Sequence, residues 1–257
     1  MTTISPEERV NTLINQLREM RLPVMATQLR TIYMENSIDS LSLLEVLEQT
    51  ISEEFYTRKQ NTINKNRKAA KLSNSTAHLS DIHYSPERKI NVKVIEQLAT
   101  NYYLQANHNV IIQGATGTGK SFIANALGNN ALDAGYSVHY YRMTELFSEL
   151  HMAQLKFESD KKISKLVKTD LLIIDDFLLT NTNPEEQKYL MEIFELRNRV
   201  KPILLCSQMS APEWHKKLGG GAMADAILDR AISNAYQILI SGESQRRNAS
   251  SGSLMTD

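Results

Sequence analysis

The chain has one cysteine, no cluster of His, Cys, Asp and Glu at metal-ligand spacing, no net charge and no apolar run of 18 residues. A single thiol excludes a disulfide within the chain. Because Cys206 lies in the apolar run Pro202-Ile203-Leu204-Leu205-Cys206-Ser207, it reads as a small buried hydrophobe rather than a nucleophile. Lys plus Arg and Asp plus Glu number 29 each, so any surface for nucleic acid has to come from local patterning rather than bulk charge. The first residues are polar and acidic where a secretory leader needs an apolar segment. With no long apolar run elsewhere, a soluble cytoplasmic protein is expected. At 257 residues there is room for one α/β domain and a smaller companion.

What the chain does have is Gly114-Ala115-Thr116-Gly117-Thr118-Gly119-Lys120-Ser121, a full match to the phosphate-binding pattern G-x-x-x-x-G-K-[ST]. The glycines let backbone N–H groups curl around the β- and γ-phosphates of a nucleoside triphosphate. Lys120 adds a point charge to those phosphates, and Ser121 offers a hydroxyl to Mg2+. The apolar run Asn109-Val110-Ile111-Ile112-Gln113 precedes the loop and a helical pattern follows it, which is the strand–loop–helix setting this chemistry requires.

Further short β-rich runs at 138–142, 171–175, 202–208 and 236–241 alternate with helical patterns, so a parallel sheet with helices on both faces is expected. Ligands of such sheets sit at the carboxyl ends of the strands. There, Leu171-Leu172-Ile173-Ile174 ends in Asp175 and Asp176, a Walker B pattern. Asp175 is placed to hold Mg2+ and Asp176 to orient and polarise the attacking water, so the expected cofactors are ATP and Mg2+ and the expected reaction is ATP hydrolysis. After the next strand, Ser207 and Gln208 either touch the γ-phosphate or the attacking water, or simply end a strand.

The first ninety residues read as helices. Ser5-Pro6-Glu7-Glu8 is a capping box, followed by the stripe Val10, Leu13, Ile14, Leu17 and Met20. A second helix uses Met25, Leu29, Ile32 and Tyr33, and a third Leu41, Leu44, Leu47, Ile51 and Phe55, so three helices are expected to share a small core. The third runs into residues 58–71, where Arg58, Lys59, Lys65, Arg67, Lys68 and Lys71 occur without an acidic residue. Charge alone leaves two readings: a segment for a polyanion, or a solvated helix end whose cations favour the C-terminal dipole. The expected organisation is a helical domain over 1–71, a Ser-, Asn- and Pro-rich linker over 72–89, an ATPase domain over 90–247 and a disordered tail over 248–257.

The chain resembles the IstB-type transposition helper ATPases, relatives of the DnaC helicase loader within the AAA+ superfamily. The resemblance rests on the loop at 109–121, Leu171-Leu172-Ile173-Ile174-Asp175-Asp176-Phe177, Ser207-Gln208, Glu213-Trp214-His215, Ala224-Asp225-Ala226-Ile227-Leu228-Asp229-Arg230 and Gly242-Glu243-Ser244-Gln245-Arg246. It implies a P-loop AAA+ sheet after a small helical N-terminal domain, with duplex DNA, a cognate transposase and further copies of the chain as partners. It also implies that Arg230 acts in trans as an arginine finger on a neighbouring subunit's γ-phosphate. The alternative for Arg230 is an ion pair with Asp229 or Asp225. On this resemblance the segment at 58–71, helped by Lys161, Lys162, Lys165 and Lys168, is expected to contact DNA phosphates. Three departures stand out. Asp176 replaces the commoner Glu, which predicts slow hydrolysis. Gln208 replaces the commoner Asn, and the 16 residues after Ser241 are too few for a helical lid, with Arg246 as a partial substitute. A helicase loader with single-stranded preference is the runner-up. A small-molecule P-loop kinase and a purely structural module are weaker readings.

Overall fold

The computed structural model describes residues 5–35 and 40–245, so Arg246 and the tail at 248–257 lie outside the described residues. The chain divides into two compact units, Met1–Lys65 and Asn66–Asp257.

Helices α1 (Pro6–Glu19) and α2 (Pro23–Met34) precede the long α3 (Leu43–Ala70), which belongs to the first unit as far as Lys65. The box at the start of α1 forms as expected: Ser5 Oγ accepts from Glu8 N–H at 3.2 Å, and Glu8 returns the bond to Ser5 N–H at 2.8 Å. Ile14, Ala26 and Ile32 are buried. The expected inward face of α3 is not the buried one. Leu44, Leu47, Ile51 and Phe55 are exposed, whereas Thr50 and Glu54 are buried. Helix rotation is set by a charge: the Glu54 carboxylate accepts from the Val24 and Met25 N–H groups at 2.9 and 3.0 Å, at the amino end of α2, where the helix dipole favours an anion. Arg58 pairs with the same carboxylate and donates to the Arg21 carbonyl, so it serves this packing.

In the second unit, α4 (Val92–Ala99) and the short α5 (Tyr102–Gln105) lead into β1 (Asn109–Gly114). Then come α6 (Lys120–Asp133), β2 (Val138–Arg142), α7 (Met143–Leu155), α8 (Ser159–Lys168), β3 (Leu171–Asp175) and α9 (Pro184–Arg197). β4 (Ile203–Ser207), α10 (Ala211–Lys217), α11 (Gly221–Ile232) and β5 (Ala235–Ile240) complete it. The five strands form one sheet in the order β2-β3-β4-β1-β5, all pairs parallel. Apolar side chains alternate between its faces. Ile111, Leu172, Ile174 and Leu205 pack with α7 to α11, while Val110, Ile112, Ile173 and Leu204 pack with α6.

Residues 72–89, expected as a linker, belong to this unit. Ala77 and Ile82 are buried, and Ile82 and Leu72 join the core on the α6 face. The polar composition that reads as a connection is satisfied by amides on α6: Asn125 Oδ1 accepts from Asn74 N–H at 3.0 Å, and Asn129 Nδ2 donates to the Asn74 and Ala77 carbonyls at 3.2 and 3.0 Å.

The basic segment is also partly occupied. Arg67 donates to Asn129 Oδ1 at 3.0 Å and pairs with Asp133, and Lys71 pairs with Glu149 at 2.9 Å. Glu149 binds Lys162 as well. Burial raises the Glu149 carboxyl, but Lys162 and Lys71 outweigh it and draw it down to about 2. Lys59, Lys65 and Lys68 are exposed. On α8, Lys161, Lys165 and Lys168 line a cavity of about 430 Å³ with Asn66, Ser137 and His139.

Burial of His139, reinforced by Lys165, Lys162 and Lys71, lowers its imidazole from 6.5 to about 4. Between those values the unfolded chain holds a proton that the folded one does not. Stability should therefore fall on acidification, by at most about 1.4 kcal/mol per pH unit through that window. Chemical denaturation at pH 7 and pH 4.5 should show this loss, and it should shrink in His139→Phe.

Candidate nucleotide site

The phosphate loop joins β1 to α6. Gly114 ends the strand, and a Cβ there would come within 2.4 Å of the Ile240 carbonyl oxygen, so the close approach of β5 requires glycine. Gly119 precedes α6 with φ +99°, a left-handed conformation that costs glycine little, and a Cβ there would also meet the Arg88 guanidinium at 2.8 Å. Within the loop, Thr118 Oγ1 donates to the Ala115 carbonyl at 2.8 Å. Ala115 and Thr116 are exposed and Gly117 has φ +80°. The amino end of α6 lies at Lys120 and Ser121, where the helix dipole favours an anion.

Lys120 is buried, and its Nζ donates to the Gly114 and Ala115 carbonyls at 2.7 Å each. A cavity of about 400 Å³ is lined by Gly117, Gly119, Lys120, Ser121 and Phe122 from the loop side, by Asp81, His83 and Arg88 from the supposed linker, and by Gln245. Asp175, at the carboxyl end of β3, is buried. Its Oδ2 accepts from the Tyr140 hydroxyl at 2.6 Å and its Oδ1 from the Asp176 N–H at 2.9 Å. Burial, with Asp175 beside it, pushes the Tyr140 phenol well above its ordinary range. Asp176 is half-buried with φ +55°, a left-handed conformation that Asp tolerates better than most residues. Both carboxylates and the Lys120 ammonium act on the buried Cys206 thiol: burial and then Asp175 push it well up, Lys120 pulls it down and Asp176 pushes it up. Cys206 is thus an inert packing residue at the point where the three charges converge. A serine hydroxyl and a buried carboxylate are hard oxygen donors, the chemistry Mg2+ prefers.

Gln208 reaches the loop, its Oε1 accepting from Thr116 Oγ1 at 2.6 Å. Ser207 does not. Its hydroxyl donates to the Phe177 carbonyl at 2.8 Å and accepts from Met209 N–H at 3.1 Å and Trp214 Nε1 at 2.9 Å. Trp214 also meets Phe177 edge-on at 5.0 Å, so the Trp of the Glu-Trp-His motif locks the ends of β3 and β4 together.

Arg230 stands apart from its own loop. Asn109 Nδ2 donates to the Arg230 and Ala231 carbonyls at 2.9 and 3.1 Å, pinning α11 at the amino end of β1, whereas the loop lies at the carboxyl end. Across a six-residue strand that separation is about 16 Å. The Arg230 guanidinium pairs with Glu195, in place of the Asp229 or Asp225 considered from sequence, and Asp225 instead pairs with His215 at 3.2 Å.

Sequence reasoning missed Arg88, which is buried and whose Nη2 donates to the Thr118 carbonyl at 2.7 Å. Its own carbonyl accepts from Ser241 N–H at 2.9 Å, and Gln245 N–H donates to the Gly117 carbonyl at 2.9 Å, so the loop is clasped from both ends of the unit. The Gly-Glu-Ser-Gln motif was a signal for half of this clasp. Nothing near Arg88 in sequence announced the other half.

The pattern of the IstB-like ATP binding proteins matches residues 15–253 of this chain. The chain is 32% identical over 239 residues to the insertion sequence ATP-binding protein y4pL of Sinorhizobium fredii, covering 91% of this chain and 96% of that protein. Among solved structures it resembles AMPPCP-bound DnaA from Aquifex aeolicus, with TM-score 0.57, 22% identity, and coverage of 70% of this chain and 55% of that one. It also resembles the DnaC helicase loader, with TM-score 0.53, 14% identity, and coverage of 64% and 97%. These two likenesses concern the fold. Among the described residues no helix is long and apolar enough to cross a membrane. A phosphate loop at the head of α6, a buried Walker B carboxylate beside it and a family match along nearly the whole sequence lead to one assignment: the chain belongs to the IstB-like ATP binding proteins and is an ATPase of the AAA+ fold.

Proposed function

We propose that this protein is an ATP-controlled helper of an insertion-element transposase, assembling on duplex DNA when it holds ATP and leaving when it hydrolyses it. The observation that carries this reading is the place of Arg230: its backbone is pinned at the amino end of β1, about 16 Å of strand from the loop of its own chain, and its guanidinium lies on Glu195, which supports a role on a neighbour's nucleotide.

Loop amides and Lys120 bind the β- and γ-phosphates. Ser121 and Asp175 would hold Mg2+, which would neutralise charge on the phosphate oxygens when bound. Asp176 accepts a proton from the water that attacks the γ-phosphorus as the bond to the ADP oxygen breaks, and Gln208, held to Thr116, senses whether the γ-phosphate is there. The short Asp176 stem reaches that water less well than Glu, so turnover is slow and DNA-stimulated. Slow turnover suits a timer of assembly.

DNA contacts come from Lys161, Lys165 and Lys168 at the α8 cavity and from the exposed Lys59, Lys65 and Lys68. Arg58, Arg67 and Lys71, expected from sequence to join them, hold carboxylates of their own chain and act in folding. Each phosphate contact contributes about 0.9 to the slope of log affinity against log salt, so replacing the three α8 lysines by Glu should flatten that slope by about 3. Arg67→Ala should instead lower stability and leave the slope in place. An unchanged slope in the triple variant would remove α8 from the interface.

The whole reading is tested by particle size on duplex DNA with ATP and with ADP, and by capture of a cognate transposase against a replicative helicase. Growth with ATP alone and capture of the transposase are expected. No growth with ATP sinks the assembly mechanism, and capture of the helicase with single-stranded preference would make this a loader.

A further inference from the structure

The hydroxyl of Tyr140 has no packing reason to exist. Tyr140 is buried on the α6 face of the sheet, in β2, paired with Ile173 of β3. Phenylalanine would fill the same space, and a buried phenol that found no partner would cost free energy. Strand periodicity puts Asp175, two residues beyond Ile173, on the same face, within diagonal reach of a long aromatic side chain, and Tyr140 spends its proton there at 2.6 Å.

Behind this bond stands Ser73, which lines one cavity with Tyr140. Ser73 Oγ accepts from Asn125 Nδ2 at 2.9 Å, and the same Nδ2 donates at 2.6 Å to the carbonyl of Ser121. The two amide hydrogens of Asn125 are thereby used, one on each side. Asn125 thus holds Ser73 beside Tyr140, and Tyr140 in turn donates to Asp175.

We propose that Asn125, Ser73 and Tyr140 form a brace that sets the position of Asp175 relative to Ser121, with Tyr140 as its positioning residue, so that both groups face one Mg2+. The inference rests on the reading of Ser121 and Asp175 as the metal-holding pair. The brace contributes no ligand. It takes up one lone pair of Asp175 Oδ2 while the Asp176 N–H takes one of Oδ1, which fixes the carboxylate plane and leaves the remaining lone pairs directed to the site. It also places a residue of the supposed linker, Ser73, in contact with the catalytic end of the sheet.

The test is Mg2+ titration of binding of a fluorescent ATP analogue to the full-length protein, with EDTA as the zero point and melting temperature as a check on folding. Tyr140→Phe and Ser73→Ala should bind the analogue in EDTA within about twofold of wild type, because Lys120 and the loop are untouched. Loss of an outer-shell partner typically weakens metal binding at least about tenfold, so Tyr140→Phe should need about tenfold more Mg2+ for half its effect, and Ser73→Ala should shift in the same direction by less. An unchanged Mg2+ requirement in both folded variants overturns the brace alone. So does an equal loss of affinity with and without Mg2+. A wild-type protein whose nucleotide binding gains nothing from Mg2+ overturns the metal-holding pair and the brace with it.

Discussion

Arg230→Ala is expected to bind ATP as tightly as the wild-type protein, to lose turnover by about three orders of magnitude, and to stop growing into larger particles on DNA. The magnitude is that of an arginine finger supplied in trans, which neutralises charge developing on the transferred phosphoryl group. A structural role has to be separated from this one, because Arg230 also holds Glu195 and donates to the Ala226 carbonyl at 2.9 Å. Glu195→Gln separates them: it breaks the ion pair and keeps the arginine. If the pair merely steadies α9 against α11, Glu195→Gln should fail as Arg230→Ala does. If Arg230 acts on a neighbour, Glu195→Gln should assemble at least as readily as wild type, since the guanidinium no longer has a carboxylate to leave. Mixing offers a second check. Arg230→Ala subunits offer intact loops and Lys120→Ala subunits offer intact fingers, so the mixture should recover turnover that neither has alone. A mixture as inactive as its parts would place Arg230 outside the reaction.

Lys120→Ala should lose ATP affinity by about a hundredfold or more, on the scale of 2–5 kcal/mol for truncating one partner of a buried, hydrogen-bonded charge pair. The ammonium is buried at the mouth of the loop, so little water screens its attraction to phosphate oxygens. The same ammonium donates to two backbone carbonyl oxygens at 2.7 Å each, hydrogen bonds that offset part of the cost of burying it. The variant should therefore melt close to wild type in buffer and show no upward shift with ATP, whereas wild type should rise with ligand concentration. A preserved ATP-induced shift would mean that the loop amides alone carry binding.

Features built from neighbours in sequence were readable in advance. The Ser5–Glu8 box depends on residues three apart. The strands at 109–114, 138–142, 171–175, 203–207 and 235–240 begin and end within one residue of their apolar runs. The phosphate loop and the carboxylates of β3 needed no more than the strands that carry them. Gln208 lies against the loop, whereas the Ser207 hydroxyl is turned to Trp214 and Phe177, which arrive from elsewhere. The same cause explains residues 58–71. Six cations with no acid among them read as free, yet Asp133 lies 66 residues from Arg67 and Glu149 lies 78 from Lys71. The polar stretch at 72–89 read as a linker because its partners, Asn125 and Asn129, are on α6 some fifty residues away.

The sequence by itself determined the sheet, the loop, the Walker carboxylates and the family resemblance, since each is carried by the order of side chains along one strand, one turn or one helix. Tertiary structure alone decided which polar groups spend their hydrogen bonds inside the chain: Arg67 on Asp133, Ser207 under Trp214, Arg88 on the loop, Tyr140 on Asp175. A buried donor or charge must find a partner wherever the fold brings one, and that partner is chosen by proximity in space, which a strand's period or a helix's stripe does not encode.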